Sequence, residues 1–147
     1  LHIYTDGSKC EAKTACAFYV PSLKYSKQIR LPDNTSIYMA EMVAILESLR
    51  FILAKPPFRS VIFSDSLSSI QSLESGLDTS PIHQEIKYCF HQLFCQGVDV
   101  SISWIPSHVS ISGNEKVDTL AKNALRHERI DYPIVRDTSD LDILLQN

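Results

Sequence analysis

Three short segments at the start of the chain, residues 1–5, 14–20 and 24–31, are rich in β-branched and aromatic residues and are separated by turn-forming stretches such as Asp6-Gly7-Ser8 and Pro21-Ser22. They predict an antiparallel meander of three strands. Over residues 36–54 the pattern becomes helical: Met42, Ile45, Leu46, Leu49, Ile52 and Leu53 recur at helix spacing until Pro56-Pro57 stops them. Val61-Ile62-Phe63 is a continuous apolar run, as expected of a strand buried on both faces. After Asp65 the pattern predicts a short helix to about Gly76, then a second over 81–96 with Ile82, Ile86, Cys89, Phe90 and Leu93 on one face. Val98, Val100, Ile102 and Trp104 alternate with Asp99, Ser101 and Ser103, the mark of a half-buried edge strand. A loop over 105–111 leads to a last helix, about 113–127, with Val117, Leu120, Ala121, Ala124 and Leu125 as its core stripe and Ser112-x-x-Glu115 as a capping box.

The order βββαβααβα, with right-handed crossovers after a meander, predicts an α/β fold. Its mixed five-stranded sheet combines a three-strand antiparallel meander with two parallel strands, flanked by helices. One domain is expected over 1–127. Residues 128–147 are set apart as an acidic tail, where Ser139-x-x-Asp142 ahead of Ile143-Leu144-Leu145 predicts one more short helix.

Composition narrows the function classes. The chain has 147 residues, 44% hydrophobic and 21% charged, which suits one globular domain and excludes collagen-like, coiled-coil and disordered chains. Every apolar stretch is interrupted well short of a membrane span, so a soluble chain with no membrane partner is expected. There are 14 basic and 17 acidic residues, and the tail from Glu128 onward holds 5 of the acids and 2 of the bases, leaving 12 of each in the body. A domain that grips a polyanion alone usually shows a basic face, so a nucleic-acid partner would need help from elsewhere. Cys10, Cys16, Cys89 and Cys95 lack zinc-site spacing and no signal segment is visible, which points to free thiols and an intracellular, unsecreted location. The start at Leu1 rather than Met suggests a domain cut from a longer polypeptide.

Four acids stand where an α/β sheet gathers chemistry. Asp6 and Asp65 are read as ending the first and fourth strands, whose carboxyl ends face one crevice. Glu41 falls about 80° from the centre of its helix's apolar stripe, and Asp118 about 90° from that of the last helix, so both lie on stripe borders from which they can lean over the sheet edge. Taken singly, each has a plain reading: Asp6-Gly7 as a turn, Asp65 as a helix N-cap, Glu41 as a border residue in water, Asp118 as a charge suited to a helix start. The coincidence of all four is what suggests a site. Crowded carboxylates repel unless cations neutralise them, and an all-oxygen cluster suits Mg²⁺ or Mn²⁺. Two such ions can clamp a scissile phosphate for phosphodiester hydrolysis. His108, in the loop before the Asp118 helix, is a candidate proton shuttle with an exposed loop histidine as its plain alternative, whereas His2, His83, His91 and His127 read as structural or exposed. There is no G-x-G-x-x-G, Walker loop, G-x-S-x-G elbow or H-E-x-x-H.

The segments YTDGS (4–8), AEMVAI (40–45), FSDSLSSI (63–70) and PSHVSISGNEKVDTLAK (106–122) match, in order and spacing, the successive motifs of the ribonuclease H family, type 1-like, which this chain resembles from Tyr4 to about Leu125. The resemblance implies that Asp6, Glu41, Asp65 and Asp118 hold two Mg²⁺ ions, with Mn²⁺ as a substitute, and that His108 is the loop histidine. It further implies endonucleolytic cleavage of the RNA strand of an RNA/DNA hybrid, giving 3′-hydroxyl and 5′-phosphate ends. Gly7, Ser8, Ser66 and Asn114 are the expected substrate contacts, with 2′-hydroxyls read near the first aspartate.

Ile37 and Tyr38 stand where cellular enzymes often have polar residues, Leu67 stands where they often have Gln, and only residues 77–80 link the two middle helices, so their basic handle is missing. With the A-E-M form of the helix motif and the neutral body, these departures look more like the ribonuclease H domain of a retroelement polyprotein, a non-LTR retrotransposon, in which an adjoining reverse transcriptase holds the hybrid. As an isolated domain a monomer is expected. Two other functions compete: a DNA-cutting nuclease of the same superfamily, and an inactive connection or interaction domain.

Overall fold

The computed structural model describes residues 1–131 of the chain. Five strands and four helices follow one another as β1 (His2–Cys10), β2 (Lys13–Val20), β3 (Tyr25–Leu31), α1 (Ile37–Ala54), β4 (Arg59–Ser64), α2 (Leu67–Ser75), α3 (Pro81–Cys95), β5 (Asp99–Trp104) and α4 (Ser112–Ala124), with a 3₁₀ turn over Pro21–Leu23. This is the predicted order. The sheet runs β3-β2-β1-β4-β5, antiparallel from β3 to β1 and parallel from β1 to β5. The expected short helix near Ser139 and the rest of the 132–147 tail lie outside the described residues.

Alternation along β1 and β2 sorts the two faces. Ile3, Cys16, Phe18 and Val20 join Ile29 and Leu31 of β3 in the main core under α1, while Tyr4, Ala17 and Tyr19 pack beneath Val117, Leu120 and Ala121 of α4 on the other face. α1 is the central helix. Its predicted stripe is buried except for half-buried Leu53, and so are Ala40, Glu41, Val43, Ala44, Glu47 and Ser48, because the sheet covers one side and α3 another. Ser36 begins it as N-cap, its hydroxyl accepting from the Met39 N–H at 3.0 Å.

Several expectations are corrected. Asp6-Gly7-Ser8 is not a turn: β1 runs through it to Cys10, paired with Ala17, Cys16 and Ala15, and the chain reverses at Glu11-Ala12 with Glu11 at φ 56°. β4 is buried on one face only. Val61 and Phe63 stay half-buried because α4 lies over β1 to β3 and leaves the β4–β5 end of that face open. The capping box is absent: α4 begins at Ser112 behind an Ile111 N-cap with no side-chain cap bond. That helix also closes at Ala124, three residues before the predicted end.

Two local constraints fix the layers around the site. Gly113, in the first turn of α4, lies against the Tyr4 ring so closely that a Cβ there would sit 2.3 Å from the ring. A bare backbone is what lets the start of α4 reach the sheet. Beyond α4 the chain folds back onto the β3 edge: the Asp131 N–H donates to the Arg30 carbonyl at 2.8 Å and its carboxylate accepts from the Arg30 N–H at 2.9 Å. His127 stands between Asp131 Oδ2 and Gln28 Oε1, 3.0 Å from each. The first residues assigned to the tail are therefore fastened to the domain and cover part of an edge strand.

Gly113→Ala is expected to lower stability by about 1–3 kcal/mol through overpacking against Tyr4, read as a lower urea midpoint at unchanged m-value. An unchanged midpoint would mean that α4 has room to spare at this contact.

Candidate active site

β4 stops one residue earlier than β1 needs it. The last parallel pair is Thr5 with Ser64, so Asp6 stands on β1 beside the point where β4 gives way to Asp65. Asp6 lies mid-strand rather than at a strand end, but the juxtaposition with Asp65 arises all the same. Gly7, the next residue, faces α1. A Cβ on Gly7 would lie 3.0 Å from Ala40 Cβ and 3.2 Å from the Glu41 nitrogen, so its bareness lets the first turns of α1 close on the strand. The Gly7 N–H then donates to Glu41 Oε1 and to Asp6 Oδ1, both at 3.0 Å.

The result is a knot of three carboxylates. One oxygen each of Asp6, Glu41 and Asp65 lies within 4.8 Å of the others. Asp6 and Glu41 are each only 5% exposed, so Glu41 is well inside the border position its helix phase suggests. Burial, reinforced by Glu41, Asp65 and Asp118, pushes the Asp6 carboxyl up to about 9. Burial also pushes Glu41 up, to about 7, against the opposing pull of the Gly7 N–H. Glu41 Oε2 is buried without a hydrogen-bond partner. An orphaned carboxylate oxygen aimed into a cluster of acids is what a divalent cation would satisfy, so this donor set fits Mg²⁺ or Mn²⁺.

Asp118 stands across from this knot on α4, outside the tight triad but lining the same crevice. Its Oδ2 is held by Lys122 Nζ at 2.9 Å, one helix turn on. The crevice, about 250 Å³, is lined by Asp6, Gly7, Asp65, Ser107, His108, Asn114, Glu115 and Asp118. His108 is exposed in a loop whose backbone turns left-handed at His108 (φ 57°) and Ser110 (φ 61°), which lifts the imidazole over the opening. Asn114 is 6% exposed, its amide donates to Asp65 Oδ2 at 3.4 Å, and its Oδ1 is unpartnered. Ser8 and Ser66 are half-buried and do not line the crevice; the Ser66 hydroxyl is 2.7 Å from that of Ser69. Glu115, read from the sequence as a capping partner, and Ser107, not singled out at all, both line it. Both stand inside the 106–122 segment that resembles the family motif, where the spacing of Glu115 was a signal of its place; for Ser107 tertiary position alone reveals it. A larger groove of about 650 Å³ lies between α3 and β5, but mostly apolar side chains such as Phe90, Leu93 and Phe94 form it.

The RNase H family profile matches residues 1–126. Among solved structures, the chain is similar to the crystal structure of RNase H1 from the halophilic archaeon Halobacterium salinarum NRC-1, with a TM-score of 0.64 and 20% identity over 84% of this chain and 96% of that one.

Asp6 titrates near 3.8 when unfolded and near 9 when folded, so between those values the metal-free folded state keeps a proton that the unfolded chain has lost. Stability without metal therefore falls as pH rises through that window. Asp6→Asn removes the repulsion: its metal-free melting temperature at pH 8 should exceed that of the unsubstituted protein, by a stabilisation on the order of 2 kcal/mol, with a flatter pH profile. A lower melting temperature for the variant in chelator-treated buffer would contradict the crowding described above.

Proposed function

The chain belongs to the RNase H family, and from that premise we propose that it hydrolyses the RNA strand of RNA/DNA hybrids, endonucleolytically and with two divalent cations, leaving 3′-hydroxyl and 5′-phosphate ends. The observation that carries this reading is the Asp6–Glu41–Asp65 knot with its unpartnered Glu41 oxygen, faced by Asp118 across one polar crevice. Asp6, Glu41 and Asp65 would hold one cation and Asp6 with Asp118 would share the other. Bound Mg²⁺ supplies Lewis acidity and a lowered pKa for water at the scissile phosphate.

The protein's own groups do the rest. Gly7 fixes the Glu41 carboxylate through its N–H, leaving the second oxygen directed at the cluster. The amide of Asn114 steadies Asp65 from α4. His108, exposed at the mouth, is placed to pass a proton to the departing 3′-oxygen or to help the product leave. Gly7 and Ser8, on the strand that carries Asp6, are the groups we assign to reading 2′-hydroxyls, with Ser66 and Asn114 beside them.

The setting we infer is reverse transcription by a retroelement polyprotein. The crevice lining contains no lysine or arginine, the body of the chain is charge-neutral, and only residues 76–80 connect α2 to α3, so no basic handle rises there. An adjoining polymerase region would supply the grip on the hybrid. No helix among the described residues is long and apolar enough to cross a membrane.

The test is cleavage of a labelled RNA/DNA hybrid in Mg²⁺ beside single-stranded RNA, duplex RNA and duplex DNA, with Asp65→Asn as the blank. Cleavage confined to the hybrid and lost in the variant is expected, whereas cutting of duplex DNA would turn the assignment to a DNA nuclease. His108→Ala should slow turnover by about 10- to 100-fold, the low part of the general acid–base range. Equal turnover across pH 6–9 would remove His108 from the reaction.

A further inference from the structure

Among the described residues, the one ammonium or guanidinium paired with any of the four acids is that of Lys122. It lies 2.9 Å from Asp118 Oδ2, and its charge is also felt by Asp6. The crevice beside Asp118 is lined by Asp6, Asp65, Glu115, the His108 imidazole, the side chains of Ser107 and Asn114 and the bare backbone of Gly7, with Glu41 behind them. An Asp followed four residues later by Lys is the favourable order on a helix, so the pair forms at little cost. It is also weak, because the Lys122 side chain is 62% exposed and that of Asp118 36%.

Among the described residues Asp6, Glu41 and Asp65 have no ion pair of this kind, whereas Asp118 has Lys122. The two halves of the site are thus prepared differently for a cation: one taken up at Asp118 must displace an ammonium.

We propose that Lys122 is a positioning residue that serves as the resident counter-ion of Asp118 and sets how strongly the Asp118 side of the site takes a divalent cation. This rests on the reading of the acids as a metal site given above. A cation arriving at Asp118 competes with Lys122 for the same carboxylate, so the ion pair weakens metal binding while stabilising the metal-free protein. Its exposure keeps the competition mild, and the long lysine stem lets the ammonium swing into water when displaced.

Lys122→Met keeps the stem and removes the charge. In the full chain, titrated with Mg²⁺ and followed by the metal-induced rise in melting temperature and by calorimetry, this variant should reach half-saturation at roughly two- to fivefold lower Mg²⁺, the fold-change expected for an exposed ion pair. Lys122→Arg, which keeps the charge, should stay near the original midpoint. In an Asp118→Asn background the Met substitution should have no further effect, because the shared carboxylate is gone. An unchanged or higher midpoint in Lys122→Met would overturn the proposal, as would an equal shift in the Asp118→Asn background, which would assign the effect to general charge. These readouts need no substrate. Failure of hybrid cleavage with an intact Mg²⁺ shift would count against the proposed reaction and leave the role of Lys122 standing; absence of any Mg²⁺ response in the unsubstituted protein would count against the metal site itself.

Discussion

Like charges held together in a dry place are the constraint around which this molecule is arranged. Asp6 and Glu41 are both buried, and Asp65 meets them within 4.8 Å, a grouping that a relaxed chain would disperse. Holding it together requires rigid neighbours on each side. The main core supplies them: α1 is buried over most of its circumference, and its grip on the sheet leaves Glu41 no path to solvent. Gly7 and Gly113 make the close approaches possible, one between β1 and α1 and the other between β1 and α4. Both glycines lack a side chain because the site needs two helices within backbone distance of one strand.

A second polar cluster steadies the same end of α1. His83 is wholly buried at the start of α3, with Nδ1 3.0 Å from Asp78 Oδ2 and Nε2 2.9 Å from the Ser72 hydroxyl. Burial holds its imidazole below the usual histidine range, and a neutral ring with its proton on Nδ1 serves both partners. The Tyr38 hydroxyl joins Ser72 at 2.7 Å and donates to Asp78 at 3.2 Å. Tyr38 lies one turn before Glu41, so α2, the 76–80 link and α3 are all tied to the turn of α1 that presents the Glu41 carboxylate. Four side chains, those of Tyr38, Ser72, Asp78 and His83, thus anchor a short connection.

Much of this was legible in the sequence, for physical reasons. Element order follows from period and breakers, which the apolar stripes of α1 and α3 and the Pro56-Pro57 stop display plainly. The acids could be placed near one another because the elements that carry them are plain, even though Asp6 lies mid-strand and Glu41 deeper than its helix phase suggests. What escaped was set by partners distant in sequence. Asp6-Gly7-Ser8 has the composition of a turn, yet pairing with Ala17, Cys16 and Ala15 holds it as strand. Ser112 and Glu115 have capping spacing, yet Gly113 is drawn onto Tyr4 and α4 begins behind Ile111 instead. Glu115 in the crevice, the covering of β3 by Asp131 and the Lys122 ion pair likewise depend on where α4 lands, which no local pattern reports.

Electrostatics links the cation and the substrate. Without cations, the crevice presents carboxylates at its mouth, and a phosphate backbone approaching it would meet like-charge repulsion, the force that adds to burial in raising the Asp6 carboxyl. Under the two-cation reading proposed above, the ions would reverse that balance and turn a site that repels a polyanion into one that attracts it. The body of the chain has 12 acidic and 12 basic residues and adds no long-range pull of its own. On that reading recognition would be short-ranged and conditional on metal, and holding a hybrid through its many phosphates would fall to surfaces outside the crevice. The adjoining polymerase proposed above would meet that need by keeping the substrate at high effective concentration, leaving the crevice to chemistry rather than affinity.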